Sequence, residues 1–256
     1  MSSPLRFSAN ISMLFGEYAP LERIDAAARA GFSAVEFLFP YEFSVAEIRA
    51  RLDAHGLALN HLNTLPGESF GLAAQPGREG EFQRAFDQAL DYAVRLGALT
   101  IHCMSGVVAP EDRGRATDAF LSNMDEAGRK AEGTGVTPVI EPINVHDRPH
   151  FFVSRSDEIV ELLQRLGRPN VKLLFDFYHI QISEGDLTRR LDRHWPHIGH
   201  FQFAGVPLRQ EPDAGEMNLK PLFAEISRRG WAGYLGAEYR PAGRTEDGLG
   251  WLKTLA

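Results

Sequence analysis

The chain has 256 residues, 44% of them hydrophobic and 24% charged, and a formal charge of −7 at neutral pH. That length and apolar content support a large packed core, while the acidic balance argues against a nucleic-acid backbone binder, whose footprint would be basic. A single cysteine, Cys103, rules out an internal disulfide, and with no apolar signal core or membrane-length apolar run the expected location is the reducing cytoplasm.

In chain order, strand-like apolar runs fall near residues 6–11, 34–39, 58–63, 99–104, 137–141, 171–176, 198–203 and 234–238. Between them lie amphipathic stretches such as L-E-R-I-D-A-A-A-R-A, V-A-E-I-R-A-R-L-D-A-H and E-F-Q-R-A-F-D-Q-A-L-D-Y-A-V-R-L, with apolar residues at three- and four-residue spacing. Several of these end on a glycine suited to a left-handed cap: Gly31, Gly56, Gly97 and Gly230. Eight strand–helix alternations predict an α/β chain with a parallel sheet closed into a single (β/α)8 barrel over residues 1–256. A doubly wound open sheet is the runner-up, and the absence of G-x-G-x-x-G after the first strand weakens its dinucleotide-binding form.

Four of the apolar runs end on one metal-competent side chain each: V-I-E-P-I-N at Glu141, K-L-L-F-D-F-Y-H at Asp176, H-I-G-H-F-Q-F at Gln202 and Y-L-G-A-E-Y at Glu238. A carboxylate at the edge of a buried strand costs several kcal/mol unless a cation or partner neutralises it. Three carboxylates and an amide suit a hard divalent ion, with Mg²⁺ or Mn²⁺ favoured. Each has a bland alternative, a salt bridge or cap for the acids and a structural amide for Gln202; four in register favour the ion. His61, His102 and His200 read as satisfied core histidines, and Cys103 as a small buried hydrophobe.

Two segments, residues 64–78 and 204–218, are long for connectors and follow strands, which in a barrel places them on the catalytic face. Phe70 in the first reads as buried. Arg209 in the second is a candidate for a substrate carboxylate, since a guanidinium matches that group with two hydrogen bonds; an ion pair with Glu211 or Asp213 is the alternative.

The segments R-F-S-A-N-I-S-M-L-F-G-E, G-F-S-A-V-E-F-L-F-P-Y, P-G-R-E, V-I-E-P-I-N, D-F-Y-H, E-P-D-A-G-E-M-N and A-E-Y-R-P together resemble the hydroxypyruvate isomerases, a branch of the xylose-isomerase-like barrels that includes 2-oxo-tetronate isomerase. The resemblance runs over nearly the whole chain, with a loop after N-T-L-P-G shorter than the family pattern. T-E-D-G-L-G-W and A-G-V-P-L-R lean toward the 2-oxo-tetronate enzymes and E-P-I-N-V-H-D toward hydroxypyruvate isomerase. The resemblance implies a metal-dependent isomerase of small hydroxy-keto acids. Glu141 and Glu238 would be acid/base carboxylates that also hold the ion, Asp176 and Gln202 its further ligands, and His179 a contact to the substrate oxygen. An epimerase or dehydratase of larger sugars, and a repair nuclease on the same barrel, are the competing readings; the nuclease would need a histidine-rich multi-zinc site and a basic groove. The expected partner is a small keto acid, with no nucleic acid and no membrane, and a homo-oligomer is left open.

Overall fold

The computed structural model describes residues 4–255. Eight parallel strands close into a barrel in sequence order: β1 (Arg6–Asn10), β2 (Ala34–Glu36), β3 (Ala58–Asn63), β4 (Thr100–His102), β5 (Thr137–Ile140), β6 (Lys172–Asp176), β7 (Ile198–Phe203) and β8 (Tyr234–Ala237). Pairing of β8 with β1 completes the closure and excludes the open sheet. All eight strands fall inside the runs marked by the sequence, but most are shorter. Glu141 and Glu238 sit one residue beyond β5 and β8, at the carboxyl end of the barrel, and the Glu238 N–H still donates to the Phe203 carbonyl of β7 at 3.1 Å.

The helices are α1 (Glu22–Arg29), α2 (Val45–His55), α3 (Glu79–Leu96), α4 (Arg113–Ala131), α5 (Ser156–Leu166), α6 (Phe177–Ser183), α7 (Leu187–His194), α8 (Lys220–Arg228) and α9 (Trp251–Thr254). Local chemistry sets their ends. Ser44 and Glu47 form a reciprocal capping box at the start of α2, satisfying two backbone donors that the first turn leaves free. The four glycines that end the predicted helices all take positive φ, from 64° at Gly56 to 92° at Gly31. No described helix is long and apolar enough to cross a membrane.

The outer faces of the strands pack on the helices through a dense aromatic layer. Trp251 is fully buried against Phe7 and Phe203, ring centroids 5.4 and 5.3 Å away in edge-on contact, and its indole N–H donates to the Tyr239 hydroxyl at 3.1 Å. The lumen differs. Its mouth holds polar groups: Ser8, Asn10, Glu36, Asn60, His61, His200 and Gln202 are all buried and hydrogen-bonded to one another or to neighbouring strands.

Because the strands are parallel, residues 64–78 and 204–218 both lie at the carboxyl end of the barrel. The first is pinned by a bridge from Gly71 to Ser105, where a Cβ on Gly71 would strike the backbone of Met104 and Gly106. Phe70 corrects its expected burial. It is 42% exposed in a left-handed turn (φ 57°), with the Arg148 guanidinium lying 3.3 Å over its ring in place of core packing. The loop after β5, from Glu141 to the start of α5, is equally long and was not singled out by its sequence.

Replacing Trp251 by Ala should destabilise the protein by about 3–5 kcal/mol, the usual cost of emptying a large aromatic site in a tight core. Urea unfolding of the variant checks this; an unchanged midpoint would show that the C-terminal segment does not seal the aromatic layer.

Candidate active site

Each predicted site residue can be traced to the element that holds it. Asp176 ends β6 and is the N-cap of α6, its Oδ1 accepting from the Tyr178 N–H at 2.8 Å. Fixed by that bond, it leaves Oδ2 buried without a hydrogen-bond partner. Glu141 follows β5, with Oε1 likewise unpartnered and Oε2 3.4 Å from His102 Nδ1. His179, in the first turn of α6, brings Nε2 to 3.8 Å from Glu141 Oε1 and 3.7 Å from Asp176 Oδ2. Glu141, Asp176 and His179 each offer one atom within 4.8 Å of the others.

Glu238 joins from the end of β8 through Arg209, whose Nη2 donates to Glu238 Oε2 at 2.8 Å and lies 3.8 Å from Asp176 Oδ2. Arg209 reaches inward from a left-handed turn (φ 54°) whose carbonyl accepts from the Arg240 N–H at 2.7 Å. Its predicted alternatives, Glu211 and Asp213, are not its partners; Glu211 instead accepts from the Ala242 N–H. The guanidinium also lies 5.0 Å over the Tyr178 ring, and its Nε is buried with no hydrogen-bond partner.

The electrostatics follow from crowding. Burial, with Glu238 and Asp176 nearby, pushes the Glu141 carboxyl well above its usual range. Burial also raises Asp176, against the pull of Arg209 and the Tyr178 N–H. Glu238 is pushed up to about 7 by burial, opposed by Arg209 and reinforced by Asp176 and Glu36. When ionised, these three acids outweigh the one guanidinium and leave a formal charge of −2. Two unpartnered carboxylate oxygens beside that excess fit a divalent cation, which could be held here by this cluster.

Neighbouring groups decide which edge His179 presents. Asn144 Oδ1 accepts from the backbone N–H groups of His146 and Asp147 at 3.1 and 2.9 Å, so its amide NH₂ must face His179 Nδ1, 2.8 Å away. The Asn144 backbone N–H also donates to that nitrogen at 3.3 Å. Nδ1 is therefore an acceptor. Burial and the charge of Arg209 push the His179 pKa well below its usual value, so the ring is neutral and carries its proton on Nε2. An Nε2–H is a donor, suited to an oxygen of a bound ligand and unsuited to a cation.

Gln202 is the direct register neighbour of Asp176 on β7. Its Nε2 donates at 2.9 Å to Glu36, so its amide pairs with a side chain and not with backbone. Glu36 is the residue that reading the sequence missed, although A-V-E ends a strand as the other four motifs do. It is fully buried and takes donors from His200 (2.8 Å), Ser8 (3.0 Å) and Asn60 (3.2 Å). Burial would raise its pKa, but interaction with His200, His61 and Gln202 outweighs it and holds the carboxyl at about 2.

Of the histidines expected to be satisfied, His61 is, with Thr100 and Asn63, and His200 is, with Glu36. His102 departs from that expectation: its Nε2 is buried without a partner, and burial and nearby His200 hold it at about 3. Asn144 and Asp147 lay inside a recognised motif, E-P-I-N-V-H-D, without being singled out. Cys103 is buried as expected, and burial pushes its thiol far up.

The xylose isomerase-like TIM barrel model matches residues 24–255. The chain belongs to that family. It is 48% identical over 253 residues to 2-oxo-tetronate isomerase of Cupriavidus necator, covering 97% of both chains. It is 38% identical to hydroxypyruvate isomerase of Escherichia coli, covering 97% of this chain and 98% of that one. Like these family members it is an isomerase. A crystal structure of a Brucella melitensis protein described as AP endonuclease, family 2, superposes with a TM-score of 0.95 at 42% identity, covering 98% and 99% of the two chains.

Proposed function

We propose that this chain is a metal-dependent isomerase that interconverts a small hydroxy-keto acid and its isomer by moving a proton between adjacent carbons. The observation that carries the reading is the meeting of Glu141 and Glu238, from strands three apart around the barrel, at Asp176 and an inward-turned Arg209. Hydroxypyruvate, giving 2-hydroxy-3-oxopropanoate, and a 2-oxo-tetronate share the carboxylate, ketone and neighbouring hydroxyl that this constellation addresses. The 48% identical relative bears the 2-oxo-tetronate name and the 38% identical one the hydroxypyruvate name, which favours the four-carbon acid.

Glu141, Asp176, Gln202 and Glu238 would hold a divalent ion, Mg²⁺ or Mn²⁺. Bound there, such an ion would supply Lewis acidity against the negative charge that develops on the substrate oxygens. The protein's own groups do the rest. One glutamate removes the proton from the carbon beside the carbonyl, the hydroxyl proton passes to the former carbonyl oxygen, and the other glutamate's side returns a proton to the neighbouring carbon. His179 Nε2–H donates to a substrate oxygen. Arg209, with an unpartnered Nε, binds the substrate carboxylate while Glu238 holds its Nη2. A nuclease reading, suggested by the Brucella protein's name, has less support. The chain carries a charge of −7, and the cluster among the described residues is two carboxylates with one histidine.

Turnover of 2-oxo-tetronates and hydroxypyruvate by metal-free protein, with Mn²⁺ or Mg²⁺ added back in deuterated water, tests the proposal. Activity should vanish on chelation, return with the ion, and leave deuterium at the reacting carbon. Full turnover without metal would sink the metal-dependent reading, and a product free of solvent deuterium would count against an exchanging base. Glu141→Gln and Glu238→Gln should each lower kcat by roughly a hundredfold or more, the scale of general acid–base catalysis. Metal content measured alongside separates lost chemistry from a lost ion. Arg209→Met should raise KM for the keto acid by a factor equivalent to about 1.5–3 kcal/mol, the worth of hydrogen bonds to a charged group. A neutral ketose of similar size should be affected much less; equal losses would remove Arg209 from carboxylate binding.

A further inference from the structure

Glu36 lies outside the acid/base and metal roles assigned above, yet it is the most fully partnered carboxylate in the lumen. It reaches from β2 across the barrel to β7, strands that do not pair, and its Oε2 accepts from Gln202 Nε2 at 2.9 Å. Its Oε1 is held by His200 at 2.8 Å, Ser8 at 3.0 Å and Asn60 at 3.2 Å, which fixes the group from three further directions. Space for it is built into a fourth strand. A Cβ on Gly236 of β8 would collide with the Glu36 carboxylate, although Gly236 is not in a left-handed conformation that calls for glycine. The barrel thus leaves a side chain out of β8 where this carboxylate stands.

We propose that Glu36 is a positioning residue that sets the polarity of the Gln202 amide, so that its carbonyl oxygen, and not its NH₂, faces the carboxylate cluster and the ion proposed there. The chemistry is one-sided. An ionised carboxylate only accepts hydrogen bonds, so the amide edge turned to Glu36 must be the NH₂. The oxygen then occupies the other edge; of the two register neighbours of Gln202, Gly236 is the one against which the Glu36 carboxylate stands, and Asp176 is the other. An amide is a weak ligand with two edges of similar shape, and the wrong one would direct two N–H dipoles at a cation. Holding the NH₂ by a fixed anion removes that alternative, as outer-shell carboxylates do for the ring orientation of ligating histidines.

This inference rests on the metal reading under the proposed function, and its test uses ion binding instead of turnover. Mn²⁺ affinity of the metal-free protein, read by electron paramagnetic resonance, is compared in the native chain, Glu36→Leu, Gln202→Leu and the double variant. Glu36→Leu should weaken Mn²⁺ binding by about 10- to 100-fold, the usual range for loss of an outer-shell partner. In the Gln202→Leu background the same change should cost less than about threefold, because its effect passes through the amide. Glu36→Gln, which can still turn an oxygen toward Gln202, should stay within a few-fold of native. Should Glu36→Leu fail to fold, Gly236→Ala displaces the same carboxylate and should reproduce the loss only where Gln202 is present. Native-like affinity in Glu36→Leu or Gly236→Ala, or equal losses in both backgrounds, overturns the proposal. A native chain that binds no Mn²⁺ overturns the metal reading and this inference with it, a result told apart because the variants then do not differ from native.

Discussion

Mutual repulsion among buried carboxylates is the constraint around which the barrel mouth is built. In a low-dielectric interior like charges a few ångströms apart cannot all stay ionised without compensation. The structure answers locally at each acid. Asp176 has one oxygen tied to the first turn of α6, Glu238 is held by Arg209, and Glu36 is surrounded by donors. Glu141 has an oxygen with no hydrogen-bond partner, and burial, with Glu238 and Asp176 nearby, pushes its carboxyl well above the usual range. Arg209 adopts a left-handed backbone that costs on the order of 1–3 kcal/mol, a strain offset by bringing a guanidinium among three acids.

The same neighbours sort donors from acceptors. Histidine and glutamine each present two edges of similar shape, and either could serve several roles. Asn144, its own oxygen occupied by two backbone N–H groups, leaves His179 a single tautomer. With that tautomer, the three-residue cluster of Glu141, Asp176 and His179 divides into two acids and a donor. The donor edge of His179 is the one turned toward the two acids, with Nε2 3.7 Å from Asp176 Oδ2 and 3.8 Å from Glu141 Oε1.

The barrel was legible because short apolar runs alternate eight times with stretches of helical period, and the strand-end acids were legible because a carboxylate closing an apolar run is locally conspicuous. What escaped was set by contacts distant in sequence. Glu36 has the same local signature as Glu141, but its partners His200 and Gln202 lie 164 and 166 residues away. Nothing in G-F-S-A-V-E-F announces them. Arg209 was legible as a cation in a loop, while its partner Glu238 depended on a turn geometry that P-L-R-Q-E-P does not encode in an obvious way. Phe70 was misplaced because aromatic character suggests burial, whereas a guanidinium stacked on its ring covers it at the surface.

Strand alternation lets one short segment serve stability and chemistry at once. On β7, Phe201 and Phe203 turn outward, to Trp231 at 4.8 Å and Trp251 at 5.3 Å, while His200 and Gln202 turn inward to Glu36. On β1, Phe7 joins the aromatic layer and Ser8 and Asn10 the lumen. Successive side chains point to opposite faces, so a register slip of one residue would place phenylalanines among the carboxylates and an amide among the aromatics. The apolar layer therefore does more than offset the cost of buried charge. By admitting one register only, it also fixes which side chains meet at the mouth, and the precision of the polar cluster is inherited from the packing outside it.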